Sequence, residues 1–194
     1  MRLVLTTSRP WHTNYCTEEG QVIYKVDSPW KLVNRSATID KIMPNNPELD
    51  NANSEPIMQD QFTRIAKVDY RAIEPSSKIT FQNTTKRVDS FFRKGKMNWK
   101  GHGSDRMFTA PDGKEYRWVL GSLKSELFLN DEAKTPVAKY HLKHYGIIKD
   151  VRPASLEIFP SGEHIVDHII VTFVYLEKLR KERQDAAHSN GGGG

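Results

Sequence analysis

With 194 residues, 37% of them hydrophobic and 27% charged, the chain can bury one sizeable core but is short for two, and it is too apolar for a disordered polymer. Its single cysteine, Cys16, excludes an internal disulfide framework and suits a reducing compartment, the cytosol or the nucleus. The formal net charge of +5 is matched by one segment, residues 86–106, where Lys86, Arg87, Arg93, Lys94, Lys96, Lys100 and Arg106 face only Asp89 and Asp105, a balance that suits an acidic partner.

The start of the chain has too short an apolar patch for a secretory signal, which needs about 7 to 15 apolar residues, so no signal peptide is expected. Short β-like runs separated by turn residues then fill the first 160 residues. Strands are expected over 3–7, 21–26, 38–42, 65–70, 78–81, 88–92, 115–120, 126–129, 137–144 and 155–159, a spacing typical of sandwiches and barrels. In the run 115–120 the alternation puts Tyr116, Trp118 and Leu120 on one face. Asp112-Gly113 ahead of it supplies the positive φ of a tight turn, which predicts a β-hairpin over 106–120. Residues 44–56, rich in Asn and Pro and without periodicity, read as a long mobile loop. Residues 1–183 are expected to form a single domain. The tail 184–194, ending in four glycines, is expected to be disordered.

The most apolar stretch lies near the C-terminus. A bilayer span needs about 20 consecutive apolar residues, whereas residues 169–176 offer eight, Thr172 among them, with charged residues close on both sides. No transmembrane segment is expected. The β-branched content would suit a strand, but residues 165–183 run on without a turn residue into a strongly helix-forming end. Ser161 and Glu163 are placed to cap and charge the start of a helix, with bases gathered at its end. Helical spacing puts Ile165, Ile169, Phe173 and Leu176 on one side, Val166, Ile170 and Val174 alongside, and Val171 opposite. A helix apolar all round must be buried all round.

About ten strands followed by such a helix describe a mainly β chain, an antiparallel barrel of about ten to twelve strands closed around its C-terminal helix. That description resembles the tubby C-terminal, LURP-one and phospholipid scramblase barrel group, and more closely a fungal domain family of unknown function. The residues that carry the resemblance are 22–29 (VIYKVDSP), 65–68 (IAKV), 106–109 (RMFT), 112–118 (DGKEYRW), 137–140 (VAKY) and the closing 165–183. What the resemblance implies, contact with phosphoinositides or other membrane lipids, is analogy at the level of fold, since function resides in sites rather than folds. The tubby phosphoinositide-binding residues have no position-by-position match in this chain.

Candidate chemistry is sparse. His164 and His168, four apart with Asp167 between them, are the weak metal candidates, but no H-E-x-x-H accompanies them. His141 and His144 would point to opposite faces of a strand. Cys16 with nearby His12 is the residue pairing of a thiolate nucleophile and its base, although catalytic partners usually meet only in the fold. Gly101-His102-Gly103 fits no phosphate-loop pattern. The stretch 91–100 mixes bases with Phe91, Phe92 and Trp99; of the two phenylalanines one is expected in the core. Arg93, Lys94, Lys96, Trp99 and Lys100 are the candidate contacts to an anionic ligand, with Trp99 at a lipid interface and the lysines on headgroups. Nucleic acid is disfavoured, because no recognised binding pattern accompanies the bases. The sequence therefore predicts a non-catalytic binding or adaptor module, without cofactor, contacting anionic lipid headgroups or a protein partner. The alternative is a small-molecule-binding protein or an enzyme, metal-dependent in one version, with a pocket at the barrel mouth.

Overall fold

The computed structural model describes residues 1–29, 35–43, 60–71, 76–98, 103–121, 124–144 and 151–190, with the side chains of 96–98, 103 and 188–190 outside the description. The expected loop 44–56 lies outside these residues, as do Trp99 and Lys100. Thirteen strands form one antiparallel sheet: β1 (Arg2–Leu5), β2 (Thr13–Cys16), β3 (Val22–Asp27), β4 (Ser36–Ile42), β5 (Phe62–Asp69), β6 (Lys78–Phe81), β7 (Thr84–Arg87), β8 (Arg93–Asn98), β9 (Gly103–Thr109), β10 (Glu115–Leu120), β11 (Ser125–Leu129), β12 (Pro136–His141) and β13 (Ser155–Ile158). Their order in space is β7-β6-β5-β4-β3-β2-β1-β13-β12-β11-β10-β9-β8. The chain is thus a meander whose first strand is inserted beside its last, with Leu3 opposite Leu156.

Alternation decides which side faces in. Tyr116, Trp118 and Leu120 of β10 are buried, as are Leu3 and Leu5, Tyr24 and Val26, Ala66 and Val68, and Ile79 and Phe81. The β9–β10 hairpin forms as expected: Gly113 N–H bonds Ala110 O (3.0 Å) across Pro111 and Asp112, and Gly113 takes the positive φ of +76°. The β6–β7 hairpin turns on Gln82 and Asn83, both left-handed at φ +47° and +65°.

Residues 88–92 are not a strand. They enter as α1 (Val88–Phe91), one helical turn closed by Phe92 N–H on Val88 O. In a strand, Ser90 would face inward with Val88 and Phe92; the helical turn buries Val88 and Phe92 and leaves Asp89 and Ser90 in solvent.

The hydrophobic segment is a helix, α2 (Val166–Asn190), reached through a 3-10 turn over Pro160–Ile165. It continues beyond residue 183, where the sequence reading ends it and begins a disordered tail. Ser161 does not cap it; its hydroxyl donates to Pro136 O. Gly162 is needed for close packing instead, since a Cβ there would lie 2.8 Å from Val137. All nine residues from Ile169 to Glu177 are at most 1% exposed. Phe173 packs on Trp118 (5.7 Å between ring centroids) and Tyr140 (5.0 Å), while Tyr175 packs on Phe92 (5.6 Å) and Tyr70 (6.1 Å). Positions two apart point about 200° away from each other on a helix, so the sheet walls α2 on opposite sides. Two charges enter this core as a pair: Arg180 Nη2 bonds Glu177 Oε2 at 2.8 Å, and Ser125 donates to Glu177 Oε1. No helix among the described residues is long and apolar enough to cross a membrane.

The wrap differs from the closed barrel of ten to twelve strands expected from sequence. Hydrogen bonding gives a thirteen-stranded sheet with two edges, β7 and β8, and among the described residues no ladder joins them. The chain passes from one edge to the other through α1 and Phe92; the Phe91 ring stacks on Phe108 and the Phe92 ring meets it edge-on.

Candidate functional site

Two features lie together at the N-terminal end of α2: the mouth of the sheet around the helix, and the seam between its edges. At the mouth, Asp167 in the first turn of α2 accepts from Tyr24 Oη (2.6 Å) and Lys41 Nζ (3.0 Å), tying α2 to β3 and β4. Burial, together with this carboxylate, pushes the Tyr24 hydroxyl far above its ordinary pKa. Across the mouth, Asp112 in the β9–β10 turn accepts from Tyr116 Oη at 2.7 Å and lies 2.9 Å from His164 Nε2. Its partial burial works to raise its pKa, but His164, Tyr116 and the Lys114 N–H outweigh it and bring Asp112 down to about 2. Lys41, Asp112, His164 and Asp167 line a cavity of about 490 Å3 that also takes in Gln82 and His168.

His168 sits one helical turn beyond His164. Its ring stands edge-on to Phe81 at 4.4 Å, and among the described residues it has no hydrogen-bond partner. Burial lowers its pKa against the pull of Asp167 and Asp112, which favours the neutral imidazole. The two imidazoles border one cavity, yet His164 is turned to Asp112 and His168 to Phe81. Among the described residues no three His, Cys, Asp or Glu side chains are grouped as a metal would require.

The seam continues from this mouth through Gln82, Pro111 and His168 into a groove of about 410 Å3. Ile79, Phe81 and Phe91 give it an apolar floor, Thr84 and Lys86 of β7 form one bank, and Thr109, Ala110 and Pro111 form the other. Lys86 is opposite Ile79 in the ladder and so shares the inward face of a buried residue, although it is itself exposed. On the other edge, Lys94 is opposite Arg106, whose side chain is 1% exposed, and it also leans to the inner side while remaining in solvent.

The basic segment is more neutralised than its composition suggests. Arg93 is bonded to Glu115, Arg87 to Asp89 at 2.7 Å, and Arg106 is buried with its guanidinium on Ser104 O at 2.8 Å. Lys86 and Lys94 have no ion pair among the described residues. The side chain of Lys96, on β8, lies outside the description. Of the five residues singled out from sequence, Lys94 alone is described as an unmatched cation. Lys86 was missed as a contact because only the register of β6 with β7 places it on the groove. Of the remaining candidates, His12 Nδ1 pairs with Asp27 at 2.9 Å while Cys16 is buried, which raises its pKa; His141 and His144 line one pocket, His141 paired with Glu157 at 2.8 Å and the His144 backbone bridged to that of Arg152.

Residues 8–182 match the model of a family of unknown function, DUF6593, and the chain belongs to that family. No curated protein and no solved structure matches it.

Proposed function

We propose that this DUF6593 chain is a non-catalytic binding module that receives an anionic partner at the seam between β7 and β8. The observation that carries the reading is Lys86, exposed on the bank of a groove with an apolar floor and without an ion pair among the described residues, joined by Lys94, likewise unpaired among them and on the inward side of the other edge strand. An unmatched cation beside such a groove raises the local concentration of anions and is relieved by binding one. At the mouth, by contrast, the carboxylates are engaged with bases, Asp112 with His164 and Asp167 with Lys41. Lys96, Trp99 and Lys100 join the proposed surface on sequence grounds, since they follow Lys94 along β8 and beyond. The affinity to tubby, LURP-one and scramblase barrels belongs to this proposal too, supported by a strand wrap with a hydrophobic C-terminal helix at its centre, and so does a reducing compartment, supported by the lone Cys16.

The test uses two anionic probes, phosphatidylserine vesicles by sedimentation and poly-glutamate by fluorescence anisotropy. Binding to at least one is expected at low salt, weakening as salt screens the exposed lysines, and lost in the Lys86→Glu/Lys94→Glu double variant. The reading fails if neither probe is held, or if the double variant binds as the wild type does. Which probe is held separates a lipid headgroup from a protein carboxylate as the source of the charge.

A further inference from the structure

The seam has a second property that charge alone does not use. In the two-residue β6–β7 hairpin the pairs nearest the turn, Phe81 with Thr84 and then Ile79 with Lys86, are the hydrogen-bonded ones, and the series continues to Val88 N–H on Ser77 O at 2.9 Å. The N–H and C=O of Thr85 and the N–H of Arg87 therefore point away from β6, toward the seam, while the C=O of Arg87, the N-cap of α1, accepts the first bond of that helical turn. Among the described residues no hydrogen bond takes up the other three groups. All four side chains of β7 are exposed. An unpaired edge is a ready template for another strand, and natural proteins usually blunt or cover it. Here brevity and the charges of Lys86 and Arg87 blunt it against a neutral or basic strand and leave it open to an acidic one, and it borders a groove walled on the far side by Thr109, Ala110 and Pro111.

We infer that this edge is a strand-acceptor site for an extended acidic peptide segment of a partner protein, an inference that rests on the seam being the binding surface. The incoming backbone pairs with Thr85 and with the Arg87 N–H. Its inward-facing side chains share the side of β7 that Thr84 and Lys86 occupy, so apolar ones drop onto Phe81 and Phe91 and acidic ones meet Lys86. Main-chain hydrogen bonds supply the affinity in this mode, and pockets for alternate side chains supply the selectivity. Charge decides among occupants. A second copy of this chain would lay its own β7 along the edge, setting Lys86 and Arg87 against the same bases, and like charges directly opposite are destabilising. A lipid surface would meet the lysines but has no use for the Thr85 amide.

The experiment pans the full chain against a displayed library of eight-residue peptides in which every second position varies among Asp, Glu, Val and Ile and the positions between are Thr, then measures the enriched peptides by anisotropy against three variants. Thr85→Pro removes an outward-pointing N–H, which an edge strand tolerates, so the ladder to β6 survives and thermal melting should be close to wild type. It should weaken peptide binding about tenfold or more. Thr85→Ala, which keeps the amide, should bind as the wild type, and Lys86→Glu should bind weakly. If Thr85→Pro fails to fold, peptides N-methylated at alternate backbone positions make the same test on the wild-type chain, with one of the two methylation registers losing binding. No enriched peptide, or equal binding by folded Thr85→Pro, or no loss with either methylated register, overturns strand addition. Unchanged binding by Thr85→Pro with loss in Lys86→Glu leaves the anionic site standing and removes only the strand pairing.

Discussion

Replacing Phe173 by Ala tests whether α2 is sheathed by the sheet. The ring is 0% exposed and is held between Trp118 and Tyr140, so truncation both returns apolar surface to water and leaves a void that stiff aromatic neighbours cannot fill. Phe-to-Ala changes in such sites cost about 3–5 kcal/mol, against a total of roughly 5–15 kcal/mol for a typical domain. At about 2–4 °C per kcal/mol for a chain of this size, the melting temperature should fall by about 6–20 °C. Urea titration followed by tryptophan fluorescence gives the free energy directly, because Trp118 reports on the same packing. The companion variant is Val171→Ala, about 200° around the helix from Phe173 and 1% exposed. It should cost about 2 kcal/mol, from two lost methyl groups and the space they leave. A one-faced helix would lose stability at 173 and be indifferent at 171. A loss under about 1 kcal/mol at either position refutes burial on that side, and with it the sheet wrapped around the helix.

Further outcomes follow from polar contacts. Thr172 Oγ accepts from Trp118 Nε1 at 3.0 Å inside the core, so Thr172→Val, nearly the same in shape, should cost about 1–3 kcal/mol by orphaning the indole N–H, seen as a lower urea midpoint at unchanged slope. Asp112, held at about 2 against an ordinary carboxylate near 3.8, contributes stability that is present above about pH 4 and lost as pH falls through the window down to 2. Asp112→Asn should therefore be less stable than the wild type at pH 7, by about 1 kcal/mol. It should lose less stability than the wild type between pH 4 and pH 2 in parallel denaturation series; equal acid slopes would mean that the His164 and Tyr116 bonds do not hold the carboxylate.

Much of the wall was legible in the chain. Residues 78–81 and 115–120 are strands at the expected limits, because alternation over a half-buried face is a local signal. Thr13–Cys16 and Thr84–Arg87 were missed for the complementary reason. The first is followed by a turn that breaks the pattern, and the second, Thr-Thr-Lys-Arg at an edge, has no buried side to betray it. The expected strand at 88–92 became a helical turn because the chain there must pass from one edge of the sheet to the other, a demand that neighbouring residues do not encode.

By itself, then, the sequence determined that residues 165–183 belong to a core helix rather than a bilayer span, since length, interruptions and all-round apolarity are properties of the segment alone. It also determined the β9–β10 turn, where Gly113 meets the one backbone angle that favours it. Tertiary structure decided the rest: that no ladder joins β7 to β8 among the described residues, that Lys86 and Lys94 lie on the inward side of those edge strands while Arg93 and Arg87 are neutralised, and that His164 is joined to Asp112 instead of His168. Periodicity fixes which face of a strand looks inward, but register and closure fix which residues meet across that face, and those depend on pairings between segments as far apart as β1 and β13.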